Sequence, residues 1–196
     1  MIRSSGSRTS PRNAASTLLA ALTVALLPAG AGAQSTAAVG AAAAADPADV
    51  ASPDAIVEAM YESVNRPPGE SYDWDRLRTL SLPSAIMIPS IEQTGGEFRV
   101  LSVEEFTDWI DEITVVGGPD DAGFREEQIA YRVERYGDIA QVFSTYQKRA
   151  WNESEVLGRG INSIQLVQND GRWWVASVVW DEEVGAGPIP ERYMPR

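Results

Sequence analysis

Apolar positions divide the chain into four regimes. A run from Ala14 to Leu27 is apolar and uncharged, follows a basic start (Arg3, Arg8, Arg12) and leads through Pro28 to Ala31-Gly32-Ala33. Charged start, apolar middle and small-residue exit predict a secretory signal peptide over 1–33, too short to span a bilayer. Residues 34–51 are Ala-rich without amphipathic pattern and read as a flexible spacer. Helical periodicity begins at Ser52-Pro53-Asp54, an N-cap followed by Pro and an acid. Ile56, Val57, Met60, Tyr61 and Val64 form one apolar stripe, which Pro67-Pro68-Gly69 ends. A short helix fits 73–81 around Trp74, Leu77 and Leu80, with Asp73 and Asp75 in its first turn, where acids favour the helix dipole. Strands fit 85–89 and 97–101. Ser102-Val103-Glu104-Glu105 is a capping box that opens a third helix with Val103, Phe106, Ile110 and Ile113 inward.

Beyond Gly117-Gly118-Pro119 the period changes to two. Residues 124–136 alternate, with Ile129, Tyr131 and Val133 on one face. Strands follow over 139–149, 159–168 and 172–181, the last two joined at Asn169-Asp170-Gly171. The last strand reads as apolar on both faces, with Trp173, Val175, Ser177 and Val179 on one and Trp174, Ala176, Val178 and Trp180 on the other. Antiparallel sheets normally wet one face, so two apolar faces predict helices on one side and a second subunit on the other.

Composition narrows the chemistry. The 196 residues carry a formal charge of −12 and contain no Cys and no His. Removal of 1–33 takes three Arg and no acid, leaving thirteen bases against twenty-eight acids. Disulfides, thiolate nucleophiles, imidazole ligands and a Ser–His–Asp triad are excluded. The acidity argues against nucleic acid and anionic membranes as partners, and no membrane association is expected after signal cleavage. Export without cysteine suits a bacterial periplasm or secreted fraction. One domain over 52–190 is expected, with a short tail at 191–196.

Asp73-Trp74-Asp75-Arg76-Leu77, Val142-Phe143-Ser144-Thr145-Tyr146, Arg159 to Leu166 (RGINSIQL) and Asp170 to Val175 (DGRWWV) resemble a bacterial exported group of the nuclear transport factor 2-like (SnoaL-like) superfamily, one without an assigned reaction. The resemblance implies an α+β fold in which a cone-like curved antiparallel sheet wraps around about three helices from the N-terminal half. Catalytic members of that superfamily often carry an inward Asp or His. Here the isomerase-like base position falls near Pro89, and Gln141 stands where relatives often have His.

Candidate ligand-binding residues are Tyr61, on the helix that would line the cone, and Gln141, Thr145, Asn162 and Ser177, polar positions on otherwise apolar strand faces. The alternative for Tyr61 is a core aromatic with its hydroxyl satisfied by a neighbour, and for the four strand residues an internal hydrogen-bond network or a face turned towards the dimer partner. Trp151, Trp173, Trp174 and Trp180 could form a stacking platform or simply fill the core. Asp181, Glu182 and Glu183 read as solvated surface. No metal spacing or cofactor motif is present. The pattern predicts a binder of a small, largely apolar ligand that dimerises through its sheet. The alternatives are a lyase or isomerase using Tyr61 and a carboxylate, and a dimeric interaction module with a filled core.

Overall fold

The computed structural model describes residues 44–196 except 115 and 120. The expected export signal (1–33) and most of the expected spacer (34–43) lie outside the described residues. Of described residues 44–51, Ala45, Asp49 and Val50 are at least half-buried against the domain, which anchors this end of the stretch. Val50 is buried in the core, its carbonyl accepts from the Trp173 amide at 2.9 Å, and Asp49 pairs with Arg76 at 2.8 Å.

Three helices form where the capping signals place them. In α1 (Pro53–Ser63) the Ala55 amide donates to the Ser52 hydroxyl, and in α2 (Trp74–Leu80) the Arg76 amide donates to Asp73. In α3 (Val103–Ile113) the Ser102/Glu105 capping box is complete in both directions. The strands are β1 (Ser81–Ile88), β2 (Leu101–Ser102), β3 (Arg125–Tyr136), β4 (Ile139–Arg149), β5 (Gly158–Asn169) and β6 (Arg172–Glu182). The strand expected over 97–101 survives only as the two residues of β2, and 97–100 are irregular. A short helix α4 (Glu183–Ala186) and a 3-10 turn (Glu191–Tyr193) end the chain.

The six strands make one sheet in the order β2-β1-β6-β5-β4-β3, with α1, α2 and α3 against its inner face. The fold class is α+β as expected, but the sheet is mixed: β1 and β6 run parallel. Hairpins force antiparallel pairing only between strands adjacent in sequence, and here α3 and four strands intervene. Two bulges bend the sheet, at Ile129 in β3 and at Ala176 in β6.

The bulge at Ala176 overturns the reading of β6 as apolar on two faces. Val175 pairs with Leu166 but Ser177 pairs with Gln165, so the alternation changes phase between them. Trp173 and Val175 point inward, and after the bulge Val178, Trp180 and Glu182 do so too. Trp174, Ser177 and Val179 face outward. The bulge at Ile129 acts likewise: Tyr131 and Val133 pair with inward Ser144 and Val142, and Ile129 is the extra residue. As β3 is the sheet edge, Tyr131 and Val133 stay 51% and 36% exposed.

Register then sorts the inner face into rows. Val133, Val142, Ile164 and Val178 form an apolar row that runs from the exposed edge at Val133 into the core. The next row holds Tyr131, Ser144, Asn162 and Trp180, and the next Gln128, Tyr146, Gly160 and Glu182. The last pairs Glu126 with Lys148. The inner face is thus apolar at one end and polar at the other.

Candidate functional site

The polar end opens into a cavity of about 380 Å³ between the sheet and the α1–α3 side. Its wall is mostly aromatic and aliphatic: Tyr72 and Trp74 stacked at 4.5 Å, Phe106 edge-on to Trp74 and Trp180 at 5.9 and 5.8 Å, then Trp109, Ile110, Phe124 and Met87. Both buried indole N–H groups are used elsewhere. Trp74 donates to Asp111 at 2.8 Å and Trp180 to Gln93 at 2.7 Å, so these rings offer the cavity only carbon surface. A filled core is therefore not what this fold has.

Two polar clusters stand on the floor. In the first, Glu182, only 5% exposed, accepts from Lys148 through both carboxylate oxygens (2.6 and 2.7 Å), from the Tyr146 hydroxyl at 3.1 Å, and from Gln93. Tyr146 and Glu182 are both register partners of Gly160, and they bond across it because it has no side chain. A Cβ there would sit 2.6 Å from the Tyr146 ring. Burial, reinforced by the charges of Glu126 and Glu182, pushes the Tyr146 phenol far above its ordinary value. This corrects the expectation that the acids ending β6 are all solvated surface: Asp181 is exposed, Glu182 is not.

The second cluster is a chain. Gln128 donates to the Ser144 hydroxyl at 2.6 Å, Ser144 and the Tyr61 hydroxyl share a hydrogen at 2.7 Å, and Asn162 donates to Tyr61 at 3.0 Å. The same Asn162 amide reaches the Glu126 carboxylate, at a long 3.4 Å. Glu126 lines the cavity, and its loss of bulk water raises its carboxyl to about 7, with Asn162 and Lys148 offsetting only part of that rise. Among the described residues, no Arg or Lys lies within ion-pair distance of it.

Glu126 is held in place from behind. Its amide donates to Asn65 at 2.7 Å, and Arg66 and Phe124 exchange backbone bonds at 2.8 and 2.7 Å. Asp121 fastens this junction, accepting from both terminal nitrogens of Arg66 (3.1 and 2.7 Å) and from the amides of Gly69, Gly117 and Gly123. Gly123 is required here: its φ is +65°, and a Cβ would lie 2.7 Å from the Arg66 carbonyl.

Of the five residues chosen from the sequence, the structure brings two together. Tyr61 and Asn162 meet on the inner face, Asn162 lining the cavity and the Tyr61 hydroxyl bonded behind it. Burial first, then the charge of Glu126, pushes the Tyr61 phenol above its ordinary value. Gln141 and Thr145 alternate with inward Val142, Ser144 and Tyr146 and so face outward. Gln141 is exposed beside Ser163, and Thr145 is covered by the C-terminal segment, donating to the Tyr193 carbonyl at 2.7 Å. That segment is no loose tail: Tyr193 also packs on Phe143 at 4.9 Å. Ser177 faces outward because of the Ala176 bulge. The four Trp of the possible platform are dispersed: Trp173 is core, Trp174 lies outside under Arg172, Trp151 packs near Gly123, and only Trp180 joins the cavity. Among the described residues no group of three or more acidic side chains could hold a metal, and no helix is long and apolar enough to cross a membrane.

No family model matches the chain, and no curated protein matches it. It is similar to several solved structures. A nuclear transport factor 2-like protein of unknown function from Silicibacter pomeroyi DSS-3 is 19% identical, over 66% of this chain and 91% of that one, with a TM-score of 0.44. One from Shewanella baltica OS155 is 13% identical over 65% and 87%, with a TM-score of 0.45. A third, from Cytophaga hutchinsonii ATCC 33406, is 13% identical over 65% and 88%, with a TM-score of 0.44. All three are described by the superfamily name that the sequence resembles.

Proposed function

We propose that the protein binds a small, largely apolar molecule in the cavity between α3 and the sheet, with Glu126 and Asn162 as its polar anchors. One observation carries this reading: a 380 Å³ space, within the ~300–1,000 Å³ usual for ligand sites, has aromatic walls and a carboxylate with no ion-pair partner among the described residues. A thermal-shift screen of hydrophobic small molecules tests it. Ligands should raise the melting temperature of the native chain but not of an Ile110→Trp variant, whose indole would occupy the space. A panel without a single hit sinks the reading. The apolar run and small-residue exit in 1–33 support placing this binder outside the cytoplasm. The outward apolar side chains Ile86, Ile139 and Val179, 37%, 57% and 40% exposed, support a homodimer through the sheet. A monomer by light scattering at micromolar concentration would refute the dimer.

A second reading is acid–base catalysis of the lyase or isomerase kind. The favouring observation is the Glu126 carboxyl at about 7, where a general base works best at neutral pH. Tyr61 is not its partner in this geometry, because its hydroxyl is spent on Ser144 and Asn162. Asn162 and Tyr146 line the cavity, but Asn162 donates to Tyr61 and Glu126 and Tyr146 to Glu182, so a ligand takes a donor only by displacing one of these bonds, the long Asn162–Glu126 contact first. 1,2-Benzisoxazole tests the base without knowledge of the substrate. Glu126 would take its C3 proton while the N–O bond breaks, releasing 2-cyanophenolate. The rate should rise to a plateau above pH 7 and vanish in Glu126→Gln; equal rates for both proteins would remove Glu126 as a base.

A further inference from the structure

We propose that the molecule this cavity takes is an organic cation, with an ammonium group held against Glu126 inside the aromatic wall. The inference rests on the reading of the cavity as a ligand site and names the chemical class of the ligand.

The charges that face the cavity do not cancel. Lys148 is committed to Glu182 through both carboxylate oxygens, and Tyr146 and Gln93 complete that cluster. Every charge of the first cluster has its counter-charge. Glu126 does not. Among the described residues its one hydrogen-bond donor is Asn162, at 3.4 Å, and that amide is shared with Tyr61. An ionised carboxylate so placed is costly unless a positive group completes it. The protein supplies none within ion-pair distance among the described residues, so the positive group is expected from the ligand.

The wall suits the same guest. Tyr72, Trp74, Phe106, Trp109, Phe124 and Trp180 line one cavity, and the indole N–H groups of Trp74 and Trp180 are already bonded, to Asp111 and Gln93. Aromatic faces attract ammonium groups through their quadrupole, more strongly where water is excluded. An anion would meet Glu126 and Glu182 together. A neutral molecule would use the aromatic surface and leave the carboxylate uncompensated.

Occupancy then depends on pH. The titratable groups around Glu126 are Tyr61 on α1, Tyr146 and Lys148 on β4, and Glu182 on β6. Both phenols are pushed above their ordinary value and stay neutral near pH 7. Glu126, at about 7, is the group that changes. A cation binds its ionised form, so affinity should rise between pH 5.5 and 8.

Isothermal titration calorimetry on the full chain, with phenyltrimethylammonium and its neutral isostere tert-butylbenzene, tests this at pH 5.5 and 8, for wild type and Glu126→Gln. The expected result is at least tenfold tighter binding of the cation at pH 8. That preference should fall to threefold or less at pH 5.5 and in Glu126→Gln. Binding of tert-butylbenzene as tight as the cation at pH 8, unchanged in Glu126→Gln, overturns the cation inference and leaves the apolar binder standing. No binding of either probe at millimolar concentration overturns both. Circular dichroism of Glu126→Gln at each pH confirms that a lost preference is not a lost fold.

Discussion

Two carboxylates, five residues apart, have opposite fates. Asp121, 2% exposed, accepts from both terminal nitrogens of Arg66 and from three backbone amides. Those donors, Arg66 foremost, hold its carboxyl far below the usual carboxylate range. Glu126 has one shared, long bond from Asn162, and loss of water raises its carboxyl to about 7. The difference separates structure from function: a saturated carboxylate has nothing left to offer a ligand, whereas an unsaturated one facing a cavity does. The two are also coupled mechanically. The Asp121 clasp joins the end of α1 to the start of β3, where Glu126 sits two residues beyond Phe124.

Breaking the clasp should have the largest effect. Asp121→Asn puts an NH₂ where three backbone amides and Arg66 all donate, and it removes a negative charge from beside the guanidinium. The expected outcome at pH 7 is a fall in melting temperature larger than that of Lys148→Met or Tyr61→Phe. The sign with pH follows from the lowered carboxyl. The clasp's contribution is fully present above the ordinary carboxylate value of 3.8, and is lost as pH falls through the depressed folded value. Wild type should therefore lose this stability only in acid, and the gap to Asp121→Asn should narrow there.

Lys148→Met converts the satisfied Glu182 into something closer to Glu126. Glu182 is buried, and removal of its one ion-pair partner among the described residues strands a charge, at a cost of about 3 kcal/mol in urea melts. Lys148 also draws the Glu126 carboxyl down. In this variant Glu126 should titrate above 7, visible by carboxyl NMR. An unmoved titration would separate the two clusters electrostatically.

Glu126→Gln tests the unsatisfied partner, and its sign is opposite. The folded carboxyl titrates at about 7 against 4.5 for the free group, so ionisation opposes folding. The stability this group contributes is complete below pH 4.5 and lost as pH rises through 7. A raise of this size, discounted for water in the cavity, corresponds to about 2 kcal/mol. Glu126→Gln should therefore be more stable than wild type by about that amount at pH 8, and equal to it at pH 4.5. A variant less stable at pH 8 would mean that Glu126 has a structural partner after all.

Legibility of these sites in the sequence followed the local signals. Capping residues placed α1, α2 and α3, and period-two alternation placed the long strands, because those signals act within a few residues. Alternation cannot register an inserted residue. The bulge at Ala176 therefore sent Ser177 to the wrong face, and the bulge at Ile129 disguised Glu126 and Gln128, which share the inner face with Tyr131 rather than with Arg132 and Glu134. Gln141 and Thr145 failed for a simpler reason: β4 has polar residues on both faces, and the choice of inner face depends on which side the helices cover. One clue to the polar end was available. Lys148, the only lysine of the chain, alternates in phase with Ser144 and Tyr146. The buried acid Glu182 had no local mark, because its burial is set by Lys148 and Gln93, distant in sequence.

The smallest effect belongs to Tyr61, the one helix residue among the sequence's candidates. Tyr61→Phe removes the bond to Ser144 and the bond from Asn162, keeps the ring in the core, and leaves Ser144 still accepting from Gln128. The loss should be about 1 kcal/mol by urea denaturation, the usual size for a buried hydrogen bond whose neighbours can partly re-pair. The freed Asn162 amide can turn wholly to Glu126, which favours the ionised carboxyl and should move its titration below 7. Because the Tyr61 hydroxyl lies behind Asn162, affinity for a cavity ligand at pH 8 should change less than threefold. A tenfold loss would put the phenol in contact with the ligand, and Tyr61 would then belong beside Glu126 rather than with the satisfied groups.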